Sequence, residues 1–79
     1  NQDQFDLIIC NPPFHEEHTV GDHIAKRLFR DAKQRLKPDG HFIIIGNRHL
    51  GYHVSLKTHF KHVETIATNS KFLLLNAYG

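Results

Sequence analysis

The residues best suited to chemistry are Asn11-Pro12-Pro13-Phe14, which directly follow the apolar run Phe5–Cys10. A short apolar run that ends in two prolines predicts a buried parallel strand passing into a loop. In open α/β sheets, ligands bind just beyond the carboxyl ends of the strands. An amide, two rigid prolines and an aromatic ring at that place indicate a small, stiff platform of nucleobase size.

Such a platform suits an exocyclic amine, which is a poor nucleophile because its lone pair is delocalised into the ring. The Asn11 side-chain oxygen and the Pro12 carbonyl can accept its two hydrogens and aim the lone pair at an electrophile. The Phe14 ring can stack on the base, which contributes about 1–3 kcal/mol. With a strong methyl donor such as a sulfonium, positioning then supplies most of the catalysis. The structural alternative is an ordinary turn, since Asn and Pro are common turn residues.

The length, cysteine content and net charge of the chain limit which classes of protein it can belong to. The chain has 79 residues, which suffice for one small domain, and no stretch approaches the roughly 20 apolar residues of a transmembrane helix. Cys10 is the only cysteine, so a reducing, cytoplasmic setting fits, with Cys10 as a small apolar filler rather than a nucleophile. The formal charge of +2 is too mild to establish a nucleic-acid partner.

A helix is predicted to start at Thr19, a candidate N-cap. Its packing stripe is expected to hold apolar residues at a four-residue spacing, namely Val20, Ile24, Leu28, Ala32 and Leu36, joined by Ala25 and Phe29. Much of the other face is basic, with Lys26, Arg27, Arg30, Lys33 and Arg35. That face suits solvent or direct contact with RNA.

Lys37-Pro38-Asp39-Gly40 is expected to end this helix as a turn, and His41–Ile45 to form a second buried strand with Gly46 at its carboxyl end. The following loop reaches the same crevice edge as Asn11. There Arg48 can bind a phosphate, or can pin the loop to acidic side chains. Tyr52 can stack on a base or support the loop.

A possible metal site is the loop His15-Glu16-Glu17-His18. It lacks the His-Glu-x-x-His order of zinc peptidases and supplies too few ligands for a structural zinc. We therefore expect a solvated loop and no bound metal.

The last third of the chain predicts a short helix over Tyr52–Phe60 with Leu56, Phe60 and the nearby Val54 facing inward. Strands are expected at His62–Thr68 and Lys71–Tyr78. The turn Asn69-Ser70 is so short that these strands must be antiparallel. The element order is β-α-β-α-β-β.

Asn11-Pro12-Pro13-Phe14 resembles the fourth motif of class I S-adenosylmethionine-dependent amino-methyltransferases, a motif shared by enzymes acting on adenine N6, guanine N2 and protein glutamine. Later blocks narrow the resemblance: Asn47-Arg48-His49-Leu50 with Tyr52, and Ile66-Ala67-Thr68-Asn69 followed by Lys71-Phe72. With His15, they are similar to the large-subunit ribosomal RNA guanine-N2 methyltransferases.

The resemblance implies an α/β fold, the carboxyl half of a Rossmann-like class I methyltransferase sheet, mixed and with its last strand antiparallel. It implies methyl transfer from S-adenosylmethionine to N2 of a guanine in 23S-type ribosomal RNA. Asn11 and Pro12 would be catalytic, Asn11 would also face the cofactor, and Pro13, Phe14 and Arg48 would bind the substrate.

One departure from the family is large, because its Gly-rich cofactor loop and its ribose-binding acidic residue have no counterpart in residues 1–79. We therefore expect a fragment, inactive by itself, whose partner is the amino-terminal half of the same protein. Competing hypotheses are methylation of adenine N6 or of a protein glutamine, a non-catalytic RNA-binding module, and an α/β fragment with no function of its own.

Overall fold

The computed structural model describes residues 3–11, 18–47 and 51–79, with side chains inside the first helix described from Ile24 onward. The elements are β1 (Phe5–Cys10), α1 (His18–Arg35), β2 (Leu36–Asn47), α2 (Tyr52–Lys57), β3 (His62–Thr68) and β4 (Phe72–Tyr78).

The four strands form one mixed sheet in the order β1-β2-β4-β3. β1 and β2 are parallel, and β4 runs antiparallel to both β2 and β3. The last strand of the chain is therefore inserted between two earlier ones. This confirms the predicted fold class, a mixed α/β sheet that ends in an antiparallel hairpin.

Both helices contribute to a core on one face of the sheet. Its fully buried large side chains come from both layers: Phe29 of α1, Leu56 of α2, and Phe42, Ile44 and Leu75 of the strands. Phe29 makes an edge contact with Phe42 at a centroid distance of 5.9 Å, and Phe42 stacks on Phe60 at 5.8 Å. These aromatic contacts fix the helices against the central strands.

The opposite face of the sheet is apolar and open. Leu7 and Ile9 of β1 alternate with the core-facing Ile8 and Cys10, yet are 52% and 63% exposed. Phe5 and Phe72 are also about half exposed. Because apolar side chains are favoured on a strand face that is buried, this composition resembles that of a two-sided, covered sheet.

The turn expected at Lys37-Pro38-Asp39-Gly40 lies instead within β2, so that prediction was wrong. Phe5 pairs with Leu36 and Leu7 pairs with His41. The four residues 37–40 of β2 therefore lie opposite the single residue Asp6 of β1 and form a bulge. A bulge accommodates a proline that cannot donate to the ladder. Gly40 is needed there because a Cβ would lie about 3 Å from the backbone oxygens of Phe5 and Asp6.

Two details of the helices also differ from prediction. α1 begins at His18, which puts Thr19 inside the helix rather than at its cap. Its described buried face holds Ala25, Phe29 and Ala32, whereas Ile24 is 51% exposed. α2 ends at Lys57, although Leu56 and Phe60 are buried as predicted, and Val54 points to solvent with 75% exposure.

Candidate active site

The carboxyl ends of β1 and β2 place two asparagines at one edge of the sheet. Cys10, the last residue of β1, pairs with Ile44 of β2, and Asn11 follows it with an exposed side chain. Asn47 ends β2 three residues beyond Ile44. The predicted position of Asn11 just past a parallel strand is therefore confirmed, at the edge where α/β sheets bind ligands.

Tyr52 lies beside this edge but in the core, since it is only 4% exposed. Its ring makes an edge contact with Phe29 at 5.6 Å and covers Gly46, where any Cβ would overlap it. The expectation that Tyr52 can stack on a base is therefore wrong, and its other predicted role, support of the loop end, agrees with this packing. Burial, and secondly the nearby Cys10 thiol, raise the pKa of Tyr52 to about 12.

Cys10 packs against the core as a half-buried side chain. Burial raises the pKa of its thiol, so the nucleophilic thiolate is disfavoured at neutral pH. Cys10 therefore acts as the apolar filler expected from the sequence and lies outside the chemistry of this edge.

Four predicted site residues, Pro12, Pro13, Phe14 and Arg48, lie outside the described residues. Most of the loop His15-Glu16-Glu17-His18 does so as well. Among the residues whose positions the structure gives, no three His, Cys, Asp or Glu side chains converge as metal ligands. In the same ranges, no helix has the length and apolarity needed to cross a bilayer.

The described surface of the helices is strongly cationic. Between Ile24 and Arg35, α1 carries five basic side chains and one acidic one, and α2 adds Lys57. Asp31 lies 3.7 Å from Arg30 in a solvent-exposed pair, which contributes little. Lys33 donates a hydrogen bond to the Gly79 carbonyl at 2.6 Å and lies over the Phe60 ring. The remaining cations of α1 point to solvent.

The sheet edge also includes an element that the sequence reasoning did not assign to the site. Phe72, the first residue of β4, pairs with Asn47, the last residue of β2. The β3–β4 turn that precedes Phe72 therefore extends beyond the end of β2. The antiparallel hairpin was predicted, but the position of its turn beside Asn47 depends on the pairing of β4 with β2, which local sequence patterns do not show.

The sequence lacks the Gly-rich segment with which many proteins bind a nucleotide-like cofactor. Its five glycines stand at positions 21, 40, 46, 51 and 79, so no Gly-rich loop follows a strand. The space beside Gly40 is occupied by Leu36 and by the backbone of Phe5 and Asp6, and the space beside Gly46 is occupied by the Tyr52 ring.

Comparisons with known proteins agree with this geometry. A family model described as methyltransferase small domain matches residues 1–76. A protein of Shewanella amazonensis named ribosomal RNA large subunit methyltransferase G is 54% identical over 77 residues, or 98% of this chain and 20% of the relative. A protein of the same name from Vibrio parahaemolyticus is also 54% identical, over 95% of this chain and 20% of its own length.

A solved structure supports the same fold. The 16S rRNA N2 methyltransferase RsmC of T. thermophilus, in complex with AdoMet and guanosine, is 30% identical and superposes with a TM-score of 0.81. The match covers 98% of this chain and 20% of that one. The chain thus spans about a fifth of the length of the proteins that it matches.

Proposed function

The chain belongs to the methyltransferase small domain family, and from that premise we propose that it is the carboxyl-terminal part of a longer enzyme's catalytic domain. That enzyme transfers a methyl group from S-adenosylmethionine to N2 of a guanine in 23S-type ribosomal RNA. The observation that carries the proposal is an exposed Asn11 directly after a parallel strand, in a chain 54% identical to proteins named large subunit rRNA methyltransferases.

In this proposal the chain's residues prepare the amine. The Asn11 Oδ1 atom and the Pro12 carbonyl accept the two N2 hydrogens, which directs the nitrogen lone pair out of the base plane. Phe14 and Pro13 hold the base, and Arg48 binds a phosphate of the RNA. S-adenosylmethionine, which Asn11 would face and whose main binding loop has no counterpart in residues 1–79, would supply an electrophilic methyl group. The transfer would leave S-adenosylhomocysteine and release one N2 hydrogen as a proton to solvent. Positioning of this kind can provide several kcal/mol of barrier reduction.

The test compares the full-length enzyme with its Asn11→Ala variant, using labelled S-adenosylmethionine and unmodified rRNA. We expect labelled N2-methylguanine from the wild type and a loss of about 100-fold or more in kcat from Asn11→Ala, as for removal of a group that orients the reacting centre. Asn11→Asp keeps one acceptor oxygen and should retain part of the activity.

Other results would redirect the proposal. Transfer that survives in Asn11→Ala would remove Asn11 from the mechanism. Label on adenine N6 or on a glutamine peptide, with none on guanine, would assign the enzyme to another branch of the same reaction class.

A second candidate, a non-catalytic RNA-binding module, is supported by the cationic surface of α1 and α2. It requires RNA binding that weakens steeply with salt, together with no methyl transfer from the full-length protein on any of these substrates.

A further inference from the structure

The helical layer of the molecule carries most of its positive charge. Residues 24–35 of α1 and residues 52–61, which contain α2, hold seven lysine and arginine side chains, and Asp31 is their only carboxylate. The net charge of these two segments is +6, although that of the whole chain is +2 with histidines neutral, so the remaining residues together carry −4. The small net charge of the chain therefore conceals a strong separation of charge between the helices and the rest of the molecule.

Five of these cations form one continuous surface, the helical cationic surface, which consists of Lys26, Arg27, Arg30, Lys33 and Lys61. At 100° per residue, Lys26, Arg30 and Lys33 lie within about 60° of one another on α1, in a row about 10 Å long with Arg27 beside it. The Gly79 carbonyl links this row to Lys61, because it accepts hydrogen bonds from the Lys33 ammonium at 2.6 Å and from the Lys61 backbone N–H at 3.3 Å.

The stability of the helix does not account for this row. Positive side chains in the last turn, here Lys33 and Arg35, stabilise a helix through its dipole, but that effect falls off within one turn. Lys26 and Arg30 lie earlier, and like charges four residues apart destabilise a helix. Among the described residues, the only ion pair of α1 joins Arg30 to Asp31 at 3.7 Å. An anionic partner on this surface would relieve the repulsion.

The helical layer offers charge without exposed Phe or Tyr rings. Phe29, Tyr52 and Phe60, which are its Phe and Tyr residues, are all buried, with at most 4% exposure. Proteins that bind single-stranded nucleic acid stack its bases on exposed aromatic rings, whereas double-stranded RNA is recognised mostly by its shape and its phosphates. The chemistry of the surface therefore fits the backbone of an RNA duplex.

The position of the surface allows one RNA to reach both it and the candidate active site. Asn11 lies at the carboxyl edge of the sheet, and α1 begins seven residues later at His18, then returns along the sheet to the start of β2. With a rise of 1.5 Å per residue, Lys26 lies about 12 Å and Lys33 about 22 Å along the axis from that beginning. The surface is therefore set back from the edge, apart from the residues proposed to hold the base.

We propose that the helical cationic surface binds the phosphate backbone of an RNA duplex next to the methylated guanine. Lys26, Arg27 and Arg30 each contact a phosphate, and Lys33 and Lys61 extend the positive potential towards the start of β3. This inference rests on the proposed function, because it takes ribosomal RNA as the substrate. The contact holds the RNA without reading its sequence, since phosphates carry no sequence information.

The experiment measures RNA binding over a range of salt concentrations, with the full-length enzyme and an rRNA fragment in which the target guanine adjoins a duplex. Lys26→Gln, Arg27→Gln and Arg30→Gln are combined in one variant, since glutamine removes the charge and is a good helix former. The slope of log Kd against log salt should fall by about 2 to 3, as expected for three lost phosphate contacts. At a fixed, moderate salt concentration, Kd should rise about 3- to 100-fold, because each exposed ion pair contributes little.

Two further measurements separate a backbone contact from a role in catalysis. The KM for RNA should rise with Kd in the triple variant, whereas kcat at saturating RNA and the affinity for S-adenosylmethionine should match the wild type. An unrelated RNA duplex of the same length should show the same change of slope, because the contact does not depend on sequence.

Single changes of charge provide matched controls. Lys26→Gln should lower the salt slope by about 0.9. Lys37→Gln removes the same unit of charge outside the helical layer, beside Asp6, and should leave the slope unchanged. Asp31→Asn has the opposite sign, because it removes the only carboxylate of the helical layer, and should tighten RNA binding by a few-fold.

The inference is overturned if the triple variant keeps the wild-type salt slope, or if Lys37→Gln lowers the slope as much as Lys26→Gln does. It is also overturned if the triple variant, without RNA, unfolds at a lower temperature and keeps the wild-type slope, because the surface would then pack against another part of the enzyme. A wild-type enzyme that methylates rRNA while these variants bind RNA normally would refute the helix contact alone. A wild-type enzyme that transfers no methyl group would refute the proposed function, and the salt slopes would still decide whether the helices bind RNA.

Discussion

At the scale of single residues, the core next to the site is built to stay uncharged. Tyr52 and Cys10 both have raised pKa values because burial disfavours their ionised forms. Neither group is then a proton acceptor or a nucleophile near neutral pH. In the proposed mechanism, neutral groups such as Asn11, which needs no ionisation, orient the substrate at this edge.

The raised pKa of Tyr52 predicts a loss of stability in alkali. An unfolded tyrosine loses its proton near pH 10, whereas Tyr52 in the folded chain keeps its proton to about 12. The unfolded state therefore binds fewer protons in this interval, and the free energy of unfolding falls as pH rises from about 10 to about 12, by about 2–3 kcal/mol in all. Below pH 10 this contribution is constant.

Ultraviolet titration of tyrosinate can check this value, because the chain has only two tyrosines. Tyr78 also has a raised pKa, caused first by the hydrogen bond that it donates to Glu64. The Tyr78→Phe variant leaves Tyr52 as the single signal, which should titrate near 12. A midpoint near 10 in that variant would contradict the burial of Tyr52, and Tyr52→Phe should lose stability less steeply in alkali.

At the scale of elements, the β3–β4 hairpin depends on one side chain. The Asn69 amide oxygen accepts two backbone N–H groups at the tip. Asn69→Ala should lower the free energy of unfolding by about 1 kcal/mol and speed hydrogen exchange at Lys71 and Phe72. Asn69→Asp keeps the acceptor and is expected to stay close to the wild type. Equal protection of both amides in all three proteins would contradict this role.

The sequence predicted the elements whose signals are local. Apolar runs bounded by polar turns predicted β1 and β3 at the bounds that the structure shows. The helix stripe was less well predicted, because a spacing of four residues advances 40° beyond a full turn at 3.6 residues per turn. A stripe counted from Val20 therefore drifts around the helix, and Ile24 is exposed while Phe29 is buried.

Longer-range pairing accounts for the other differences. Lys37–Gly40 has the composition of a turn, but the pairing of Leu36 with Phe5 holds it within β2 as a bulge. For the candidate site, the strand-then-proline pattern was enough to place Asn11. The position of the β3–β4 turn beside Asn47 could not be predicted from local patterns, because it depends on which strands become neighbours.

At the scale of the whole molecule, the open face of the sheet is the dominant surface feature. Leu7 and Ile9 are exposed on β1, which is also an edge strand of the sheet, with no strand on its outer side among the described residues. Exposed apolar edge strands promote pairing with other chains. The isolated 79-residue chain is therefore expected to self-associate.

Light scattering over a range of concentrations tests this expectation. Leu7→Lys combined with Ile9→Lys should shift the isolated chain towards the monomer, because charged side chains block edge pairing. Val54→Lys is the control, since Val54 is even more exposed but lies on α2. A wild-type chain that stays monomeric at high concentration would contradict the prediction.

The strand order has a further consequence for the time course of synthesis. β2 and β3 are not neighbours, because β4 lies between them and pairs with both. On a ribosome, β1, α1 and β2 emerge first, yet the sheet cannot close until β4, the last strand of the chain, has left the exit tunnel. Folding of this unit must therefore finish after translation of residues 72–78. A ribosome stalled before these residues would hold a chain in which β2 and β3 lack β4, the strand that joins them in the sheet.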